Sequence, residues 1–165
     1  MKMKTHLLAA LVALLAGAFS AFAQEDVWEK VKEVNMPKES LQASWHRLYS
    51  SPLLQEPMES EGTVLLQQPD QVRWETLKPI QRVTVLDGKE PKGKFRLPTE
   101  RDFKVKVLEG DTYTVQLDPV RRDLKQLVGQ ISLTVENNTY KLMKVTILVL
   151  DGDWTQIEFT NVVKK

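Results

Sequence analysis

The chain has 165 residues, 42% of them hydrophobic, with no cysteine and with 23 Lys+Arg against 22 Asp+Glu, a formal charge of +1. Near-neutrality removes the electrostatic case for a nucleic acid or a polyanionic membrane as partner. The lack of cysteine excludes the disulfide-stapled class of small secreted scaffolds.

The N-terminus reads as an export signal. "MKMK" is basic, "HLLAALVALLAGAF" is apolar, and "SAFA" ends on small residues, so residues 1–23 are expected to be removed after Ala23. The apolar run is short for a stable membrane span. Loss of Lys2 and Lys4 turns the charge from +1 to −1, and leaves a single domain over residues 24–165, long enough to bury a core.

In "QEDVWEKVKEVN" Val27, Val31 and Val34 recur at helical spacing beside Trp28, and Pro37 stops the helix. "SLQASWHRLYSS" alternates Leu41, Ala43 and Trp45 against Gln42, Ser44 and His46, a strand pattern. "PLLQEPMESEG" reads as a loop whose Leu53, Leu54 and Met58 either tuck over the core or form a rim. "GTVLLQQ", "QVRWETL" and "IQRVTVL", separated by "QPD" and "KP" and closed by Asp87–Gly88, predict an antiparallel meander. A polar stretch follows, with a short edge strand expected over Phe95–Leu97.

Phe103, Val105 and Val107 then share one face against Lys104 and Lys106, and after Gly110–Asp111 Tyr113, Val115 and Leu117 do the same. "LDPVRRDLKQLVGQ" predicts a short helix with Asp118 as N-cap, Pro119 in its first turn, an apolar stripe of Val120, Leu124, Leu127 and Val128, and Gly129 at its end. Three more strands are predicted: one burying Ile131, Leu133 and Val135, one with Met143, Val145, Ile147 and Val149 on a face, and one alternating Ile157 and Phe159 with Gln156 and Glu158. The second of these also carries Leu142, Leu148 and Leu150 on its other face. Either both sides are covered by helices or loops, or one is a concave apolar surface.

Chemistry-bearing residues are sparse. His46, the only histidine left after signal removal, lacks an obvious partner, and the carboxylates are scattered without a paired spacing. No catalytic residue, metal site or cofactor is predicted, and no enzyme.

The ordered set "SLQASW", "EPMESEG", Pro69–Asp70 with Arg73 and Trp74, Pro79, Asp87–Gly88, "YTVQLDPVRRDLKQLVGQISLTVE" and "TQIEFTNV" resembles the periplasmic outer-membrane lipoprotein carrier proteins, the LolA-like family, in a short form of the Bacteroidota type. The resemblance spans nearly all of the mature chain. It implies a mainly β fold with α: a strongly curved antiparallel sheet forming an incomplete (half) barrel, with the N-terminal helix and a short helix across its concave side. It also implies a non-enzymatic periplasmic carrier, monomeric, that shields acyl chains of lipoproteins or a related lipid between an inner-membrane exporter and an outer-membrane receptor. In that family an arginine before the Pro–Asp/Asn turn tethers the lid; the matching position here is Gln68. The segment between Gly88 and Phe103 is shorter than the family's and lacks room for its lid helices. That departure keeps open an alternative, an accessory lipid- or glycolipid-binding or structural interaction module in envelope biogenesis.

The residues expected to line a cavity are Trp45, Leu66, Trp74, Val83, Val85, Leu133, Ile147 and Leu148, each of which would serve equally as ordinary core. Arg73, Lys104, Lys106, Arg121, Arg122 and Lys125 are candidates for docking a protein partner, or simply a solvated basic face.

Overall fold

A computed structural model describes residues 26–35, 40–67, 71–87 and 100–164. The predicted signal peptide, Gln68, the Asp87–Gly88 turn's second residue and the edge strand expected at Phe95–Leu97 lie outside the described residues.

The elements in chain order are helix α1 (Asp26–Asn35), strands β1 (Leu41–Ser50), β2 (Met58–Gln67), β3 (Gln71–Lys78) and β4 (Arg82–Asp87), a 3-10 turn at Glu100–Asp102, strands β5 (Phe103–Leu108) and β6 (Tyr113–Pro119), helix α2 (Arg122–Leu127), and strands β7 (Gln130–Val135), β8 (Leu142–Leu148) and β9 (Trp154–Lys164). All nine strands form one sheet in the order β4-β3-β2-β1-β9-β8-β7-β6-β5, and every pairing is antiparallel. Among the described residues the fold is mainly β with two helices, and the sheet does not close, since β4 and β5 are its edges. This is the incomplete barrel expected from the sequence.

One face is apolar along its whole width. Leu41, Ala43 and Trp45 on β1, Val64 and Leu66 on β2, Val72 and Trp74 on β3, Ile157 on β9, Val145 and Ile147 on β8, and the inward residues of β6 and β7 form a single buried cluster. Nine strands span roughly 38 Å at 4.8 Å each, whereas α1 is only about 15 Å long. A flat sheet would leave most of that face wet, so burial across it requires the sheet to curl inward on the twist that strands already have.

Helix α1 contributes Trp28 and Val31, and α2 contributes Leu124, with Val128 following it. The second helix begins later than its sequence pattern predicts. Asp118 and Pro119 remain in β6, paired with Lys104 and Phe103, and the Asp118 carboxylate accepts from Gln130 Nε2 at 2.9 Å rather than capping a helix. Arg121 stands at the N-cap without a side-chain cap, and Val120 is exposed. Strand pairing with β5 outcompetes the capping signal because it satisfies the same backbone groups.

A lidded apolar interior and a parting of two strands

Trp45 and Trp74 define the middle of the inner face. Their rings stack at 4.7 Å between centroids and 23° between planes, and Trp45 Nε1 donates to Thr63 O at 3.1 Å. Leu66, Leu133 and Ile147 are also buried on this face. Three of the expected lining residues are not. In β4, Trp74 pairs with Thr84 and Val72 with Leu86; partners directly opposite share a face, so Val83 and Val85 point outward, 44% and 51% exposed. Leu148 pairs with Trp154 on the outer side and is 44% exposed, while Ile147 pairs with Ile131 and faces inward. The outer face of β8 therefore carries exposed Leu148 with no covering layer among the described residues. Leu53, 94% exposed, does not tuck over the core.

A roof over one end of the interior comes from α1, held by polar clips at both ends. Trp28 Nε1 donates to Glu100 Oε1 at 2.8 Å and Lys32 Nζ lies 3.3 Å from Glu100 Oε2. At the other end Asn35 Nδ2 donates to Tyr140 O at 2.7 Å, and Asn35 Oδ1 accepts from Leu142 N at 2.8 Å. Tyr140, at φ 58°, presents its carbonyl from a left-handed backbone. No sequence pattern singled out Asn35 or Glu100; the two ends of these clips are 105 and 72 residues apart in the Asn35–Tyr140 and Trp28–Glu100 bonds.

Beneath the Asn35 end lies a cavity of about 50 Å³ lined by Asn35, Leu41, Ala43, Val64, Leu66, Leu142, Phe159 and Val162. It is apolar but holds little more than a water or two in volume. A larger cleft of about 520 Å³ adjoins it, lined among others by Met143, Lys144, Glu158, Phe159 and Val162. Both cavities share Leu142, Phe159 and Val162.

The cleft exists because two strands part. Pairing of β8 with β9 stops at Lys144↔Glu158. Beyond it β9 follows β1 as far as Lys164↔Leu41, with a register shift between Gln42 and Ser44 and Asn161 at φ 52°, while β8 follows β7 to Leu142↔Val135 through a second shift. That second shift also reverses the parity of β8's start: Leu142 is half-buried and Met143 is exposed, the opposite of the sequence expectation.

The basic candidates divide. Lys104, Lys106, Arg122 and Lys125 are exposed, and Arg73 is half exposed, 3.9 Å from Glu75. Arg121 is not an open docking cation: its Nη1 is 3.3 Å from Asp102 and its Nε 2.6 Å from Asp123, whose carboxyl it holds below the ordinary value. His46 sits at the surface, 3.5 Å from Glu59. Among the described residues no group of three or more His, Cys, Asp or Glu side chains is placed to hold a metal, and no helix is long and apolar enough to cross a membrane.

An unclosed antiparallel sheet, curled around an apolar interior and roofed by a clipped helix, is a lidded half-barrel. No protein-family model matches the chain, and no curated protein does. Among solved structures it is similar to a LolA superfamily protein from Nitrosomonas europaea (12% identity, TM-score 0.49, 88% of this chain and 94% of that one). It is also similar to a putative outer membrane lipoprotein-sorting protein domain from Vibrio parahaemolyticus (9% identity, TM-score 0.44, 85% and 91%). A third likeness is to the MucA/MucB complex of Pseudomonas aeruginosa (14% identity, TM-score 0.47), in which it spans 84% of this chain and 56% of the matched one. At these identities and TM-scores the likenesses are of architecture alone.

Proposed function

We propose that the chain is a non-enzymatic periplasmic carrier that shelters the acyl chains of a lipoprotein, or of a related lipid, between the inner and the outer membrane. The observation that supports this most is that the small apolar cavity under α1 and the larger cleft between β8 and β9 lie side by side, with Leu142, Phe159 and Val162 lining both. Each methylene removed from water is worth about 0.8 kcal/mol, so an interior that expands to admit a chain binds it without any covalent chemistry. Expansion requires α1 to lift, and its clips are few and polar, exchangeable for water at modest net cost. In this reading Trp45, Leu66, Trp74, Leu133 and Ile147 line the occupied cavity. The exposed Lys104, Lys106, Arg122 and Lys125 offer docking contacts to an exporter or receptor.

The small volume of the cavity under α1, about 50 Å³, favours a second reading: an accessory lipid- or glycolipid-binding or structural interaction module that does not shuttle lipoproteins. Native mass spectrometry of protein purified from a bacterial periplasm, with lipid extraction, separates the two. A co-purifying acylated species supports carriage and its mass names the cargo. A clean apo mass together with no uptake of a fluorescent fatty acid overturns the carrier reading.

A further inference from the structure

Arg47 lies on the inner face of β1, two residues from Trp45, opposite Ser60 on β2 and Ile157 on β9. Its Nε donates to Oγ of the buried Ser60 at 2.9 Å. Two other half-buried cations have carboxylates: Lys32 has Glu29 and Glu100, and Arg121 has Asp102 and Asp123. No ion pair involves Arg47 among the described residues. Asp153, at the end of the β8–β9 turn, accepts from the hydroxyl of Tyr49, the next inward residue after Arg47, at 2.8 Å.

A guanidinium stays protonated at any physiological pH, so Arg47 keeps a positive charge partly removed from water, and burial lowers its pKa from the ordinary value. An unpaired charge in such a place is costly. With Nε committed to Ser60, the four N–H groups on the terminal nitrogens have no acceptor among the described residues. Those nitrogens are not sealed in either, because among the described residues the only buried side-chain nitrogen or oxygen without a partner is Asn137 Oδ1. Ser60, accepting from Arg47, still has its own O–H to donate. Planar N–H pairs beside a hydroxyl match the spacing of two oxygens on a carboxylate or phosphate. From this point the inner face continues through Trp45 and Ala43 to Leu41, about 20 Å along the strand, and Leu41 and Ala43 line the apolar cavity under α1.

We propose that Arg47, with Ser60, binds the anionic headgroup of an acyl lipid, a carboxylate or a phosphate ester, whose chain runs along β1 past Trp45 toward the cavity beneath α1. The site rests on the lipid-binding reading above and gives it a ligand class: singly acylated anions in preference to neutral acyl chains.

The test is a displacement titration of a fluorescent fatty acid from the wild-type protein by palmitic acid, hexadecyl phosphate and hexadecanol. The charged ligands are expected to outcompete the alcohol by about tenfold or more, the value of one charge-assisted pair, and the tighter of the two anions identifies the headgroup. Arg47→Gln should bring the anion-to-alcohol ratio close to one, and Arg47→Lys should retain part of it, with thermal unfolding confirming that both variants fold. Equal binding of acid, phosphate and alcohol by the wild type, or an undiminished preference in Arg47→Gln, overturns the Arg47 site while leaving the carrier reading intact. Failure of the wild type to bind any of the three overturns both.

Discussion

Trp45 and Gly62 face each other across β1 and β2, and a Cβ on Gly62 would stand 2.7 Å from the Trp45 ring and 1.9 Å from the carbonyl oxygen of Glu75. Absence of a side chain at residue 62 is what lets the indole lie across β2 and reach Trp74. The register shift between Glu61 and Gly62 falls at the same place and leaves Leu77 of β3 as the extra residue, so the bulge in β3 and the tryptophan stack sit together against Gly62.

Gly62→Ala should therefore destabilise the protein by about 3 kcal/mol or more, since the obstacle is backbone and cannot rotate away. Trp74→Ala, which removes half of the stack from a buried site, should cost about 3–5 kcal/mol. Chemical denaturation of both variants checks this; a Gly62→Ala midpoint equal to wild type would contradict it.

The clip at Asn35 serves two backbone groups at once. Asn35→Ala leaves the Leu142 N–H and the Tyr140 carbonyl without that partner, at about 1–3 kcal/mol. Hydrogen exchange should report faster amide exchange across α1 and little change in β1 or β7. Glu100→Ala should loosen the other end of the helix, because Trp28 loses its acceptor and Lys32 keeps only Glu29, on the helix itself.

Val162 stands where the two cavities meet and is itself 44% exposed. Enlarging it to Trp blocks the throat while a partly exposed position should keep stability within about 0.5 kcal/mol. Stopped-flow uptake of a fluorescent fatty acid should slow by about tenfold on this variant, an expectation that lapses if the lipid enters elsewhere.

Glu61 and Lys78, 2.9 Å apart on the surface, shift each other in opposite directions. The hydrogen bond from Lys78 holds the Glu61 carboxyl below its ordinary value, and Glu61 raises Lys78. For Glu61 the folded value is the lower one, so its contribution is present above the unfolded value, about 4.3, and disappears as pH falls through the folded value. For Lys78 the contribution is present below about 10.4 and lost as pH rises through the raised folded value. The pair is solvent-exposed and its effect small. Glu61→Gln should differ from wild type in thermal stability at pH 7 and converge with it as pH falls through the lowered Glu61 value, which a paired melting series measures.

Much of the inner face was legible before any tertiary information. Period-two alternation alone placed Trp45, Leu133 and Ile147 on the side that is buried, because a strand with one wet face must alternate. The order of the strands in the first half also followed from the sequence, since Pro69, Pro79 and the short turns leave only an antiparallel meander. Val83 and Val85 show where that rule fails. Strand β4 offers Val83 and Val85 on one side and Thr84 and Leu86 on the other, and composition favours the valines. The pairing of Thr84 with Trp74 fixes the opposite choice, and register is a property of two strands and the turn between them.

By itself, then, the sequence determined the strand and helix types, the apolar character of an inner face and the near-neutral, cysteine-free surface, because propensity and periodicity act over a few neighbouring residues. Only the tertiary structure decided which parity of β4 and β8 turns inward, where β8 and β9 part, that Asn35 and Glu100 hold the lid, and that Arg47 on the inner face of β1 pairs with Ser60 rather than with a carboxylate. Those features depend on bulges and on bonds between residues as far apart as Asn35 and Tyr140, and no local pattern encodes a partner a hundred positions away.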